Sequence, residues 1–156
     1  MIEAKINDDL NVSNTALFGG WNGIQHAQLC TNSNVNGWIV QWRYGISSSY
    51  GIKDNLKHTH VLDLLNKKYL IDGNQYAITS PIESKSDGTI YVFAVNNSGT
   101  VIRKTSLNLY YFQIYDNDIL VRDYIPVLDT SKRPCMFDKV EKKCYYNQGT
   151  GEFLYG

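Results

Sequence analysis

Residues 110–126 form an aromatic-rich run in which apolar and polar side chains interleave on both sides of Asp116, Asn117 and Asp118. Alternation at every second position is the period of a half-buried strand, and no helical period fits the segment. Asn and Asp tolerate the partly left-handed backbone of a tight turn. The run therefore reads as two long strands folded back over an acidic turn, and it points to an all-β module that binds or assembles.

Short runs of the same kind, separated by Gly, Asn, Asp and Ser, recur from end to end. Ile2, Ala4 and Ile6 alternate with polar neighbours in an opening strand. Strands are expected at residues 15–20 and 24–30, and again at 37–44, where Trp38, Val40, Trp42 and Tyr44 share the face expected to be core. Residues 45–55 lose the alternation and read as an exposed loop. The strand pattern resumes at 57–64 and 67–72, turns at Asp72, Gly73 and Asn74, and continues to Ile78. Residues 89–95 place Tyr91, Phe93 and Val95 on one side, and a turn at 96–99 leads to Val101 and Ile102. A last hairpin pairs residues 135–138 with 143–146 across a turn at Glu141 and Lys142. The pattern is that of a β-sandwich or jelly roll, and 156 residues are expected to form one domain over 1–156.

Charge narrows the partners. Fifteen basic and fifteen acidic side chains leave no net charge, so the chain lacks the positive field that a phosphate backbone or an anionic membrane attracts. Neither nucleic acid nor membrane insertion is expected. No apolar run has signal-peptide or membrane-span length, which reads as a soluble protein. Three cysteines, an odd number, fit a reducing compartment. The turn expected at 141–142 sets Cys144 opposite Lys139 and Cys135 opposite Gln148, too far apart to bridge, so three free thiols are expected.

No catalytic set stands out. The acids are scattered, whereas retaining glycoside hydrolysis needs two carboxylates about 5 to 5.5 Å apart. His58 and His60 point the same way from a strand, but no third ligand accompanies them, which favours a structural role over a metal. Residues 148–151 are glycine-rich without the lysine or helix of a phosphate loop. Asn11 and Asn96 each open a glycosylation acceptor, relevant only on a eukaryotic secretory route. Arg122 and Asp123 interrupt an apolar strand and read as an architectural pair.

Aromatic side chains are the remaining resource. Flat rings stack on sugar faces while neighbouring amides bond hydroxyls. Trp38, Trp42, Phe93 and Phe112 lie at strand spacing and are assigned to the core. Trp21, Tyr50 and Tyr155, in or beside glycine-rich loops, are the candidate ligand-binding rings, with Asn22 and Asn97 as their amide partners.

Three closing segments, residues 120–126, 136–140 and 145–153, resemble in order and spacing the end signature of concanavalin A-like (laminin G-like) modules of tailed-phage structural proteins. Residues 16–20 resemble that family's early strand and turn, and residues 60–63 with 69–73 its middle hairpin, so the likeness covers nearly the whole chain. Arg122, Asp123, Pro126, Asp138, Gly149 and Gly151 are the signature positions. The resemblance implies an all-β, two-sheet antiparallel jelly-roll sandwich of the concanavalin A-like lectin/glucanase type. It also implies a non-enzymatic place in a virion made in a bacterial host cytoplasm: a tail fibre, tail tip or decoration attaching to a host-surface glycan or protein. A purely architectural domain without sugar binding, joined to other virion subunits or to copies of itself, and a bacterial surface lectin are the alternatives. No cofactor is expected, with one option open: a calcium ion at Asp63 and Asp72, as some laminin G-like modules carry. Family members begin with a further strand ahead of the position matching Ile2, which implies either a longer parent chain or an open sheet edge filled by a neighbouring subunit.

Overall fold

The structure is a computed structural model describing residues 1–10, 14–21, 26–31, 33–34, 36–42, 47–51, 53–78, 89–148 and 153–154. Every regular element among them is a strand: β1 (Ile2–Ile6), β2 (Ala16–Trp21), β3 (His26–Cys30), β4 (Trp38–Trp42), β5 (Ser47–Tyr50), β6 (Lys57–Asp63), β7 (Lys68–Ile71), β8 (Asn74–Ala77), β9 (Tyr91–Val92), β10 (Val95–Asn97), β11 (Thr100–Ile102), β12 (Leu107–Asp116), β13 (Ile119–Leu128), β14 (Pro134–Asp138) and β15 (Lys143–Tyr145). The protein is all-β. Its strands fall into two compact units, one of Lys5–Asn108 and one of Met1–Ala4 with Leu109–Gly156.

The larger unit is a two-layer sandwich. One layer runs β11-β10-β2-β3-β4-β5, with β9 also against β2, and the other holds β6, β7 and β8 side by side. Aromatic rings fill the space between the layers. Trp38 and Tyr50 are cross-strand partners. From there Trp38 meets His60 with ring centroids 4.3 Å apart, and Tyr50 meets Tyr69 at 5.6 Å. The opposite side of the first layer is also buried, around Ala16, Cys30, Ile39 and Val95, with Trp21 and Ile102 packed against them. Alternation along β4 assigns core to the Trp38 face alone; the structure buries Ile39 as well, because a second apolar cluster forms on the other side of the same strand.

Four expectations change in this unit. Residues 47–50 are not a free loop but β5, paired with β4 from Gln41↔Ser47 to Trp38↔Tyr50. Serines lack the apolar alternation that marks a strand, yet their backbone groups pair as well as any. The run at 89–95 is broken into β9 and β10 because Phe93 adopts a left-handed φ of 69° and turns the chain. Phe93 itself is half-buried rather than core. As a result the sheet is not wholly antiparallel: β9 runs antiparallel to β2, whereas β10 runs parallel to it at Asn96↔Gly20 and Asn97↔Trp21.

In the smaller unit β12, β13, β14 and β15 are consecutive neighbours. Beside them the Met1 amine donates to Gln113 O at 2.8 Å, and Gln113 N–H donates back to Met1 O at 2.7 Å. The long hairpin forms over the acidic turn as the sequence predicts. Asn117 and Asp118 both take positive φ, 45° and 66°, between the partners Asp116 and Ile119. That is the backbone a two-residue turn of primed type demands. The closing hairpin differs. Asp138 pairs with Lys143 and Phe137 with Cys144, so the connection spans Lys139 to Lys142 rather than two residues. Asp138 fixes this longer turn by accepting the Val140 N–H at 3.0 Å. The shift also moves the thiols: Cys144 now sits diagonally across from Cys135 on one sheet face, near enough for their thiols to hydrogen-bond. All three cysteines are free, as expected, but not because Cys135 and Cys144 lie far apart.

Candidate functional site

The five candidate ligand-binding positions are not gathered into one surface. Asn22 and Tyr155 lie outside the described residues, as do the signature glycines Gly149 and Gly151 and the ring of Trp42. Tyr50 departs from the surface role: it is 8% exposed, wedged between Tyr69 and Tyr76. A loop reading put it outside; as the last residue of a paired strand it turns inward. Trp21 and Asn97 do come together, as register partners at the ends of β2 and β10, with Ser98 N–H donating to Trp21 O at 2.8 Å. Trp21 rests against the buried Ala16, Cys30, Ile39 and Val95, so much of its surface is committed to packing. The neighbouring Asn96 is an internal strut, donating to Thr89 O and accepting the Gly99 N–H.

A polar cluster lies where β6 meets β7, around His58, a weak metal candidate on sequence. His58 Nδ1 is 2.6 Å from Asp72 Oδ2, and its Nε2 is 2.7 Å from Asp54 Oδ1. The register of β6 and β7, His60↔Ile71, places residue 72 beside residue 59 and so brings Asp72 to the His58 ring. Thr59 N–H donates to Asp72 Oδ1 at 2.8 Å, fixing that carboxylate. Partial burial alone would lower the pKa of His58, but hydrogen bonds and charge from Asp72 and Asp54 outweigh it, and the pKa is raised above 6.5.

His60 has the opposite environment. It is 1% exposed, its Nδ1 meets Tyr69 OH at 2.8 Å, and its ring packs edge-on against Trp38. Burial first, and the charge of His58 second, push its pKa down to about 3, so at neutral pH it is uncharged. The two imidazoles thus do different work: one is an ion-pair centre and the other a core side chain. With both its nitrogens engaged by carboxylates, His58 has none left for a metal shared with His60. Among the described residues no three His, Cys, Asp or Glu side chains group as metal ligands would. Asp63 and Asp72, the calcium candidates, sit at opposite ends of β7, and Asp63 is occupied by the Asn66 backbone and side-chain amides.

In the smaller unit the signature residues interlock. Asp138, fully buried, accepts the Asp123 N–H at 3.1 Å and the Val140 N–H at 3.0 Å, and faces Arg122 Nε at 3.5 Å. Arg122 reaches on to Glu141 at 2.6 Å. Asp123, on the other face of β13, pairs with Lys139 at 2.6 Å and accepts from Gln113 at 3.0 Å. Burial works against its ionisation, but Lys139 and Gln113 prevail and lower its pKa. Pro126 sits opposite Met136, one step along the same pairing. The two aspartates project to opposite sides of the sheet, so they do not line one groove as a glycosidase pair must. Asp54 is the residue whose role sequence reasoning missed. A signal for Asp54 exists in the Asp-x-x-x-His spacing, once the hairpin register brings Asp72 to the same ring.

No protein family, no curated protein and no solved structure matches this chain.

Proposed function

We propose that the protein is a non-enzymatic module of a tailed-phage virion, a concanavalin A-like jelly roll on a tail fibre, tail tip or decoration that attaches to a host-surface glycan or protein. The observation that carries the reading is the placement of the closing motif. Arg122, Asp123 and Asp138, the positions that resemble the family, meet in one network across β13 and β14. A motif of that kind has a structural purpose: it satisfies buried backbone N–H groups that would otherwise cost stability. The two-layer aromatic interior of the larger unit fits the same fold.

A second reading, a purely architectural virion domain, is favoured by a specific observation. Tyr50, a ring expected to stack on sugar, is interior, while Ile114, Tyr115 and Ile119 at the tip of the β12–β13 hairpin are exposed, Ile119 to 68%. Apolar side chains at such a tip suit a protein contact better than a sugar. Screening the purified chain on bacterial polysaccharides and glycans, with its oligomeric state measured in parallel, separates the two. Saturable sugar binding by a monomer supports attachment. A stable assembly that ignores every sugar supports architecture.

A further inference from the structure

We propose that Asp54, His58 and Asp72 form a proton-operated clamp. While His58 carries its proton, it holds the Asp54 side chain and the β7–β8 turn to β6; when the proton leaves, the Asp54 carboxylate is released.

The argument starts from donor count. An imidazolium has two N–H donors, and His58 aims one at each carboxylate, at 2.6 Å to Asp72 and 2.7 Å to Asp54. A neutral imidazole has one N–H and one lone pair. It can satisfy only one of the two, and the other carboxylate then faces a lone pair at hydrogen-bond distance. One acid must leave. Asp72 is held independently: its Oδ1 accepts the Thr59 N–H at 2.8 Å, and its own N–H donates to Thr59 O at 3.0 Å. Asp54 has no such anchor on β6. The oxygen that meets His58 also accepts the Leu56 N–H at 2.8 Å, a bond within its own exposed turn that holds nothing to β6 and loosens once the imidazolium no longer pins that oxygen. Asp54 is therefore the side that opens.

The surroundings keep the device selective. The titratable groups facing His58 are Asp54 from the connection, Asp72 from the turn and His60 on its own strand, with ring centroids 5.9 Å apart. From β4, among the described residues, it meets the uncharged Trp38 ring at 6.4 Å. His60 is enclosed by Trp38 and Tyr69 and stays neutral, so one proton operates the clamp. The His58 side chain is 13% exposed, which leaves that proton a path to solvent.

The test is an NMR pH series on the full 15N- and 13C-labelled chain, following the histidine rings, the aspartate carboxyl carbons and amide exchange. The expected result is a His58 midpoint above 6.5, with the Asp54 carboxyl shift tracking it. Leu56 amide exchange, corrected for its intrinsic rate, should rise about five- to tenfold across that midpoint while Thr59 stays protected. Asp54→Asn should lower the midpoint and abolish the Leu56 step, and His58→Gln should abolish the step alone. If one variant does not fold, the other and the wild-type titration still decide. A His58 midpoint at or below 6.5, a Leu56 amide indifferent to it, or Thr59 opening in place of Leu56 overturns the proposal.

Discussion

His60 and Tyr50 show how burial sets the behaviour of single residues. The folded His60 binds its proton only near pH 3, against 6.5 for a free imidazole. The unfolded chain therefore takes up a proton that the folded chain refuses, and stability present above pH 6.5 is lost as pH falls from there toward 3. Urea midpoints across that range should decline for the wild type and stay flatter for His60→Gln. Losses owed to Asp63, Asp72 and Asp123, whose pKa values are lowered from 3.8, set in as pH falls through 3.8 and add to the His60 loss at the acid end of that range. His58 works in the other direction: its raised pKa adds stability that is full below 6.5 and disappears as pH climbs through the folded value. Tyr50 carries a buried hydroxyl with no hydrogen-bond partner among the described residues. Tyr50→Phe removes a desolvated group without opening a cavity, so thermal denaturation should show no loss and a gain of up to about 1 kcal/mol. A clear loss of stability would mean that the hydroxyl is satisfied.

Strands are held in place here by a few residues with no freedom to change. A Cβ at Gly19 would come within 2.8 Å of both Gln28 Cβ and Val95 Cγ2. Gly19→Ala must push β3 or β10 away from β2, at a cost of about 1–3 kcal/mol measurable by chemical denaturation. On the closing hairpin, Asp138→Ala strips acceptors from the Asp123 and Val140 N–H groups and leaves Arg122 without its buried partner. We expect a loss of about 3 kcal/mol, with Asp138→Asn milder because one oxygen remains to accept. Equal stability of wild type and Asp138→Ala would remove the structural purpose assigned to the motif.

These elements also show what a linear reading can and cannot recover. The β12–β13 hairpin was legible because its side chains alternate and its turn residues advertise positive φ. β5 was not, because three serines carry no apolar signal to mark a strand that folds back on β4 just before it. The break at Phe93 was hidden for a different reason: nothing in an aromatic side chain announces a left-handed backbone. The β14–β15 turn slipped because Glu-Lys looks like a two-residue turn until the Asp138 carboxylate, which caps a longer one, is taken into account. The same limit applies to the site. His58 and His60 were visible as a pair, but opposite fates two residues apart depend on Asp54, Asp72 and Trp38, which only tertiary pairing delivers.

At the scale of the whole molecule, aromatic side chains serve as building material, Trp38 and Phe112 as expected and Tyr50 against its expected surface role. Trp38, Tyr50 and Tyr69 fill the sandwich of the larger unit, Phe112 stacks on Tyr124 in the smaller, and Trp21 leans on a buried cluster. Among the described acids, those with the closest neighbours are spoken for: Asp54 and Asp72 by His58, Asp123 by Lys139, Asp138 by Arg122. The proposal that it binds without chemistry is tested most directly by incubating the purified chain with a panel of bacterial polysaccharides and measuring the reducing ends released over time. The account predicts no protein-dependent release, even from a polysaccharide that retains the protein. New reducing ends appearing in proportion to protein concentration would contradict it.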